Sequence, residues 1–122
     1  MSGTYTDLQV WQAAMDLAED LYRITKGFPK EETYGLTVQL RRAAVSVPSN
    51  IAEGKGRASD KELCQFLCHS RGSLFEIETQ INLAQRLGYL DKEKADSILR
   101  KTARVGQLLN GLLRAFRPPE AA

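Results

Sequence analysis

The stretch Arg41–Arg57, R-R-A-A-V-S-V-P-S-N-I-A-E-G-K-G-R, decides how this chain folds. Its apolar side chains recur at helical spacing, yet Pro48 stands in the middle. A proline removes one helical hydrogen bond and crowds the carbonyl four residues back, here that of Ala44. Because alanine is small, we predict a helix that bends but continues through Pro48. The alternative is a break at Pro48, for which Val47 is a poor N-cap.

Apolar periodicity of about 3.6 residues predicts helices on both sides of this stretch, and no strand pattern competes with it. Ser59 and Glu62 have the spacing of a capping box, Gly88 stands where a helix C-terminus is expected, and Asp91 is a further N-cap. Short connections between such helices predict an all-α, antiparallel up-down-up-down four-helix bundle in one domain, 1–122. The helices are expected near residues 8–26, 31–53, 60–87 and 91–116.

Composition excludes several classes of protein. The 122 residues are 43% hydrophobic and carry a formal net charge of only +2. No apolar run approaches the roughly 18–20 residues of a membrane span, and no signal peptide is apparent, so we expect a cytoplasmic protein without a membrane partner. The charge is uneven, because residues 1–38 hold three basic and six acidic side chains, and residues 39–122 hold fourteen and nine.

Two helices have more apolar surface than one core needs. We predict that the surplus is an oligomer interface, since exposed apolar stripes often mark one. The alternative is ordinary core in an unevenly packed bundle. The candidate interface residues are Tyr34, Val38, Val45 and Ala52 on the second helix and Cys64, Cys68 and Phe75 on the third.

Basic residues dominate the end of the chain, and no acidic residue lies between Ser97 and Pro119. A basic stripe on a helix can follow a phosphate backbone, so these residues are candidates for nucleic-acid binding. The alternative is a solvated face whose late arginines complement the helix dipole. The candidates are Arg100, Arg104 and Arg114 on one face, Lys101 and Arg117 at its edge, and Arg57 in the loop after the second helix.

The sequence contains only weak matches to the motifs that are typical of catalytic, metal-binding or cofactor-binding sites. Cys64 and Cys68 share a helix face, but His69 points about 100° away and no fourth metal ligand is nearby. His69 and Glu76 lack a paired nucleophile. Gly54-Lys55-Gly56-Arg57 lacks the spacing and the preceding strand of a phosphate-binding loop. We therefore predict no enzymatic activity, no cofactor and no metal.

The chain resembles the bacterial four-helix-bundle family named after open reading frames in intervening sequences of 23S ribosomal RNA genes. The resemblance starts at Leu8 and Trp11-Gln12 and is densest around the opening stretch. The residues that carry it are Phe28-Pro29, Tyr34-Gly35-Leu36, Gln39 to Ala43, Ser46 to Gly54, Arg57, Gly72-Ser73-Leu74, Glu76 and Leu87-Gly88-Tyr89-Leu90. Ser70, where alanine is expected, and the cysteine pair depart from the family pattern.

The resemblance implies a homopentamer without known enzymatic activity. A related accessory protein of diversity-generating retroelements, similar in fold, binds a reverse transcriptase and contacts nucleic acid through basic surfaces. We therefore expect an oligomeric protein that binds structured RNA or scaffolds a ribonucleoprotein; the alternative is a protein-interaction scaffold without nucleic acid. The polar side chains of the family motif are further candidates for direct function: Arg41, Arg42, Ser49, Asn50 and Glu53.

Overall fold

Four α-helices make up most of the chain in the computed structural model, which describes residues 3–119. They are α1 (Gln9–Thr25), α2 (Leu36–Lys55), α3 (Asp60–Arg86) and α4 (Lys92–Phe116), with short 3₁₀ helices at Tyr5–Asp7 and Lys30–Glu32. Since residues 3–119 contain no strand, the predicted all-α class is confirmed. None of the described helices combines the length and the hydropathy needed to cross a membrane.

The helices form a four-membered bundle in which each packs against two neighbours. α1 contacts α2 and α4, and α3 contacts the same two helices. Side-chain pairs between α2 and α3 run in opposite directions: Ser46 meets Ser73, and the earlier Gln39 meets the later Gln80. Such pairing is that of antiparallel neighbours, so the structure agrees with the predicted bundle.

The core lies along the bundle axis and is built mainly from leucine, isoleucine, valine and alanine. The core-facing side of α2, formed by Leu36, Leu40, Ala44, Val47 and Ile51, is buried along its whole length. Full burial of one large aliphatic side chain stabilises the fold by about 1.5–3 kcal/mol. Side chains almost fully removed from solvent include Leu17, Leu21, Leu40, Val47, Ile51, Leu67, Ile77, Ile81, Val105 and Leu109.

Pro48 is buried inside a continuous α2, so the predicted helix without a break is confirmed. Polar side chains bond to the two backbone carbonyls that precede it. Asn50 Nδ2 donates to the carbonyl of Ser46 at 2.8 Å, and Ser70 Oγ donates from α3 to the carbonyl of Val47 at 2.8 Å. The buried serine of α3 therefore ties the two helices together beside the proline.

The start of α2 differs from the prediction by five residues. Gly35 has φ −111° and ψ −114°, which is not helical, and α2 begins at Leu36 rather than near residue 31. The carboxylate of Glu32 accepts the Leu36 N–H at 3.1 Å and the Tyr89 hydroxyl at 2.8 Å. Tyr34 thus precedes the helix, so the prediction that it belongs to a helical stripe is wrong.

The other predicted helix ends are confirmed to within two residues, the largest difference being that α2 ends at Lys55 rather than near residue 53. The Ser59 hydroxyl accepts the Glu62 N–H at 3.2 Å at the start of α3, and Asp91 accepts the Lys94 N–H at 2.8 Å at the start of α4. Gly88 follows α3 with φ +81°, a conformation that glycine adopts at helix C-termini without strain.

Candidate nucleic-acid interface

The outward face of α4 presents three exposed arginines. Arg100, Arg104 and Arg114 are exposed and form no ion pair within residues 3–119. At the helical rise of 1.5 Å per residue, the first and last lie about 21 Å apart along the helix. Arg117 follows the helix and is also exposed. This face can offer a row of positive charge to a phosphate backbone, although Arg104 also borders the α1–α4 groove, whose wall includes Asp16, Glu19 and Asp20.

The two remaining basic candidates, Lys101 and Arg57, already contact other side chains of the protein. Lys101 forms an ion pair with Asp20 of α1. Arg57 lies 3.6 Å from the carboxylate of Glu53, and its guanidinium stacks 4.7 Å from the centre of the Phe66 ring. These contacts join neighbouring helices, so Lys101 and Arg57 have less charge to offer to a ligand than the outward arginines.

Arg41, a candidate from the family motif, is a packing residue. Its Nε donates to the Thr25 hydroxyl at 2.9 Å, and its guanidinium also donates to the Tyr22 carbonyl at 3.3 Å. The same group lies 4.7 Å from the centre of the Tyr22 ring. Arg41 therefore supplies donors to the last turn of α1, where helix carbonyls lack partners.

The other motif side chains separate onto different parts of α2. Ser49 lines the groove between α1 and α2, whereas Arg42 and Asn50 line the groove between α2 and α3. Glu53 is exposed and paired with Arg57. The motif therefore does not form one polar face with one partner.

The α1–α2 groove is apolar and encloses about 610 Å³. Of the candidate interface residues, Val45, which is 45% exposed, and Ala52 line this groove. Val38 is half-buried, and Tyr34 is 94% exposed at the start of α2. The apolar wall is completed by α1 and the segment before it, through Tyr5, Trp11, Met15, Ala18 and Tyr22.

The candidate interface residues of α3 belong to a second, separate patch, since none of them lines the α1–α2 groove. Phe75 is 59% exposed, Cys68 is exposed and Cys64 is half-buried. Both cysteines are free thiols, and partial burial raises the pKa of Cys64. A self-association surface built from both stripes therefore needs two contact sites.

A polar groove lies between α2 and α3. Ser73 Oγ donates to Ser46 Oγ at 2.8 Å, and Asn50 Nδ2 lies 3.0 Å from the same oxygen. Two adjoining spaces of about 460 and 390 Å³ share Ser46, Ser73 and Glu76 in their walls. The first is completed by Asn50, Phe66, Cys68, His69 and Gly72, and the second by Gln39, Arg42, Ala43 and Gln80.

Sequence reasoning missed this groove. It named Arg42 and Asn50, weighed His69 and Glu76 only as a catalytic pair, and treated Gly72-Ser73-Leu74 only as a mark of the family. The available signal was that Ser46–Asn50 and Ser73–Glu76 fall on antiparallel neighbouring helices at matching heights. His69 and Glu76 line the groove without a hydrogen bond between them in the described part of the chain. That part also holds no cluster of three residues suited to a metal.

The fold and these surfaces define an all-α four-helix-bundle protein. A sequence model of the family described as "23S rRNA-intervening sequence protein" matches residues 6–111, and the chain belongs to that family.

A similar solved structure is that of a protein of unknown function from the S23 ribosomal protein family of Bacteroides thetaiotaomicron VPI-5482. It superimposes with a TM-score of 0.75 at 19% sequence identity, over 89% of this chain and 99% of the other. At this identity the likeness shows the fold alone. Comparison with curated proteins finds no match.

Proposed function

We propose that the protein is a non-enzymatic homo-oligomer that binds structured RNA through the outward face of α4. The observation that carries the proposal is the row of Arg100, Arg104 and Arg114, which are exposed and without acidic partners in the described residues. Arginine side chains spaced along one helix match the repeated charge of a phosphate backbone. Membership of the family, whose name refers to 23S rRNA, adds support for an RNA partner.

Filter binding of an RNA hairpin at several salt concentrations tests the proposal. Replacing the three outward arginines by glutamine should weaken binding and reduce the slope of log K against log salt by about two to three, since each lost phosphate contact contributes about 0.7–0.9. The matched control replaces three basic residues that are held in ion pairs: Arg23, Arg57 and Lys101. The control should change the slope less.

Two outcomes would contradict the RNA proposal. One is the absence of binding at low salt, and the other is binding whose salt dependence is the same in the wild type and the variant without the outward arginines.

The apolar α1–α2 groove favours a second candidate, a protein-interaction scaffold without nucleic acid. An apolar groove with exposed Val45, Met15 and Tyr22 is typical of a protein contact rather than of an RNA contact. Purification from the native host with and without nuclease separates the two candidates. A partner that stays bound after nuclease treatment favours the scaffold, whereas release of the bound material favours RNA.

A further inference from the structure

The polar α2–α3 groove holds two opposite charges that do not neutralise each other. Arg42 on α2 and Glu76 on α3 line the same space, yet neither forms an ion pair among the residues that the structure describes. Both side chains are exposed at the groove. A ligand that carries an anionic group and hydrogen-bond donors can therefore contact both.

Hydrogen-bonding groups inside the groove also lack partners. Ser46 Oγ accepts one hydrogen bond from the Ser73 hydroxyl and lies within hydrogen-bonding distance of a second donor, Asn50 Nδ2. These two contacts use both lone pairs of the Ser46 oxygen, and the Ser46 hydroxyl proton remains available for donation to a ligand. Gln80 donates through Nε2 to Gln39 at 3.4 Å, but its Oε1 is buried and has no partner within residues 3–119. A buried acceptor without a donor costs free energy, and a rotation of the Gln80 side chain that turns Oε1 into the groove would let a ligand's N–H group recover it.

We propose that the α2–α3 groove binds one unpaired guanine nucleotide of an RNA strand. The inference rests on the proposed RNA-binding function and names a second contact, apart from the outward face of α4. Guanine presents two adjacent N–H donors and the O6 acceptor on its Watson–Crick edge. Glu76 and Gln80 supply acceptors for these donors, and Ser46 supplies the donor for O6. The other bases lack the second adjacent donor.

The remaining parts of a nucleotide also have partners. The Arg42 guanidinium can donate two parallel hydrogen bonds to a phosphate. The exposed His69 ring lines the adjoining space, about 16 Å along α3 from Gln80, and offers a face on which a neighbouring base of the strand can stack. Each of the two adjoining spaces, about 460 and 390 Å³, falls in the range of roughly 300–1,000 Å³ that small-molecule sites occupy.

NMR titration of the ¹⁵N-labelled full chain with GMP, AMP, CMP and UMP tests the base preference. GMP should bind about tenfold more tightly than the other three, which is the discrimination expected from one bidentate pair. The resonances that move should be those of the groove, including the side-chain amides of Asn50 and Gln80.

Variants assign the contacts to particular atoms. Glu76→Gln should weaken GMP binding about tenfold and leave AMP binding unchanged, because an amide replaces one carboxylate acceptor by a donor. Glu78→Gln, on the same helix but outside the groove walls, is the control. Arg42→Gln should weaken all four mononucleotides and leave binding of guanosine, which has no phosphate, unchanged.

A second arm identifies the source of the nucleotide. The RNA pentamer UUGUU should bind more tightly than UUAUU in fluorescence anisotropy, and Glu76→Gln should remove the difference. Binding of GMP without binding of UUGUU would overturn the assignment to an RNA strand.

Equal affinity for the four mononucleotides, or an unchanged preference in Glu76→Gln, would overturn the guanine assignment. Such a result is distinguishable from failure of the proposed function. Hairpin binding that depends on the outward arginines of α4 would still stand if only the groove assignment failed.

Discussion

Gly54 lies where α2 packs tightly against α3. A Cβ atom at this position would lie 2.9 Å from the Phe66 Cβ, which is closer than real Cβ atoms approach, and 3.1 Å from a Leu63 methyl carbon, which is tighter than most real contacts. Gly72, in the middle of α3, is the opposite case, because nothing lies within 4 Å of an added Cβ. The two helical glycines therefore have different reasons to be present.

We predict that Gly54→Ala destabilises the fold and that Gly72→Ala stabilises it. The first change forces α2 and α3 apart, at a cost of about 1–3 kcal/mol that exceeds its gain in helix propensity. The second change gains about 0.5–1 kcal/mol, since alanine loses less backbone entropy in a helix. Urea unfolding followed by circular dichroism measures both. Equal shifts of the two midpoints would contradict the packing explanation.

The sequence shows which residues are basic, but it does not show which of them are free to bind a ligand. The sequence identified Arg41, Arg57 and Lys101 as basic and placed them near the surface. It could not supply their partners, because Thr25, Phe66 and Asp20 lie on other elements or beyond a turn. Of the nucleic-acid candidates, Arg100, Arg104, Arg114 and Arg117 form no ion pair within residues 3–119, and the helical spacing of the first three was visible in the sequence.

At the scale of elements, Glu32 connects two parts of the bundle. Its carboxylate accepts the first N–H of α2 and the hydroxyl of Tyr89 from the α3–α4 connection. These hydrogen bonds, first that from the Leu36 backbone and then that from Tyr89, lower the pKa of Glu32 below its ordinary value of 4.5. Acceptance by Glu32 raises the pKa of Tyr89 above its ordinary value of 10.0.

The pKa of Glu32 gives a pH-dependent stability. Because the folded pKa is lower than the unfolded one, the ionised carboxylate stabilises the fold above pH 4.5, and the contribution is lost as the pH falls through the folded pKa. We predict that Glu32→Gln melts at a lower temperature than the wild type at pH 7. The gap should narrow as the pH is lowered toward 3. The neighbouring variant Glu31→Gln is the control, and a gap that is constant with pH would contradict the prediction.

The same carboxylate explains why most helix bounds were predictable and one was not. Ser59 and Asp91 cap the helices that directly follow them, so local spacing revealed both starts. The start of α2 depends on Glu32, four residues before Leu36, and on a hydroxyl 57 positions along the chain. The apolar periodicity led us to predict a helix start near residue 31. Periodicity depends on the pattern of side chains, so it could not reveal that the backbone of Gly35 is not helical.

At the scale of the whole molecule, the proposed self-association can be tested on the α1–α2 groove. Val45 is 45% exposed in the single chain, so Val45→Glu should leave the helicity unchanged and convert the oligomer to a smaller species. Light scattering coupled to size-exclusion chromatography measures the mass, and circular dichroism measures the helicity. Gln107→Glu on the outward face of α4 is the control. Loss of helicity would mean that Val45 belongs to the core, and an unchanged mass would remove this groove from the interface.

The position of α2 also bears on how the protein tolerates sequence change. This helix borders the core, the apolar groove and the polar groove at once, and its remaining polar residues are tied to α1 or to the α2–α3 connection. From Leu40 to Gly54 no position faces solvent alone. Random drift should therefore be slow along this helix and faster at exposed positions outside the grooves and the arginine row, such as Gln65 on α3 and Ala103 on α4. The stretch that revealed the fold is the part of the chain with the fewest neutral substitutions open to it.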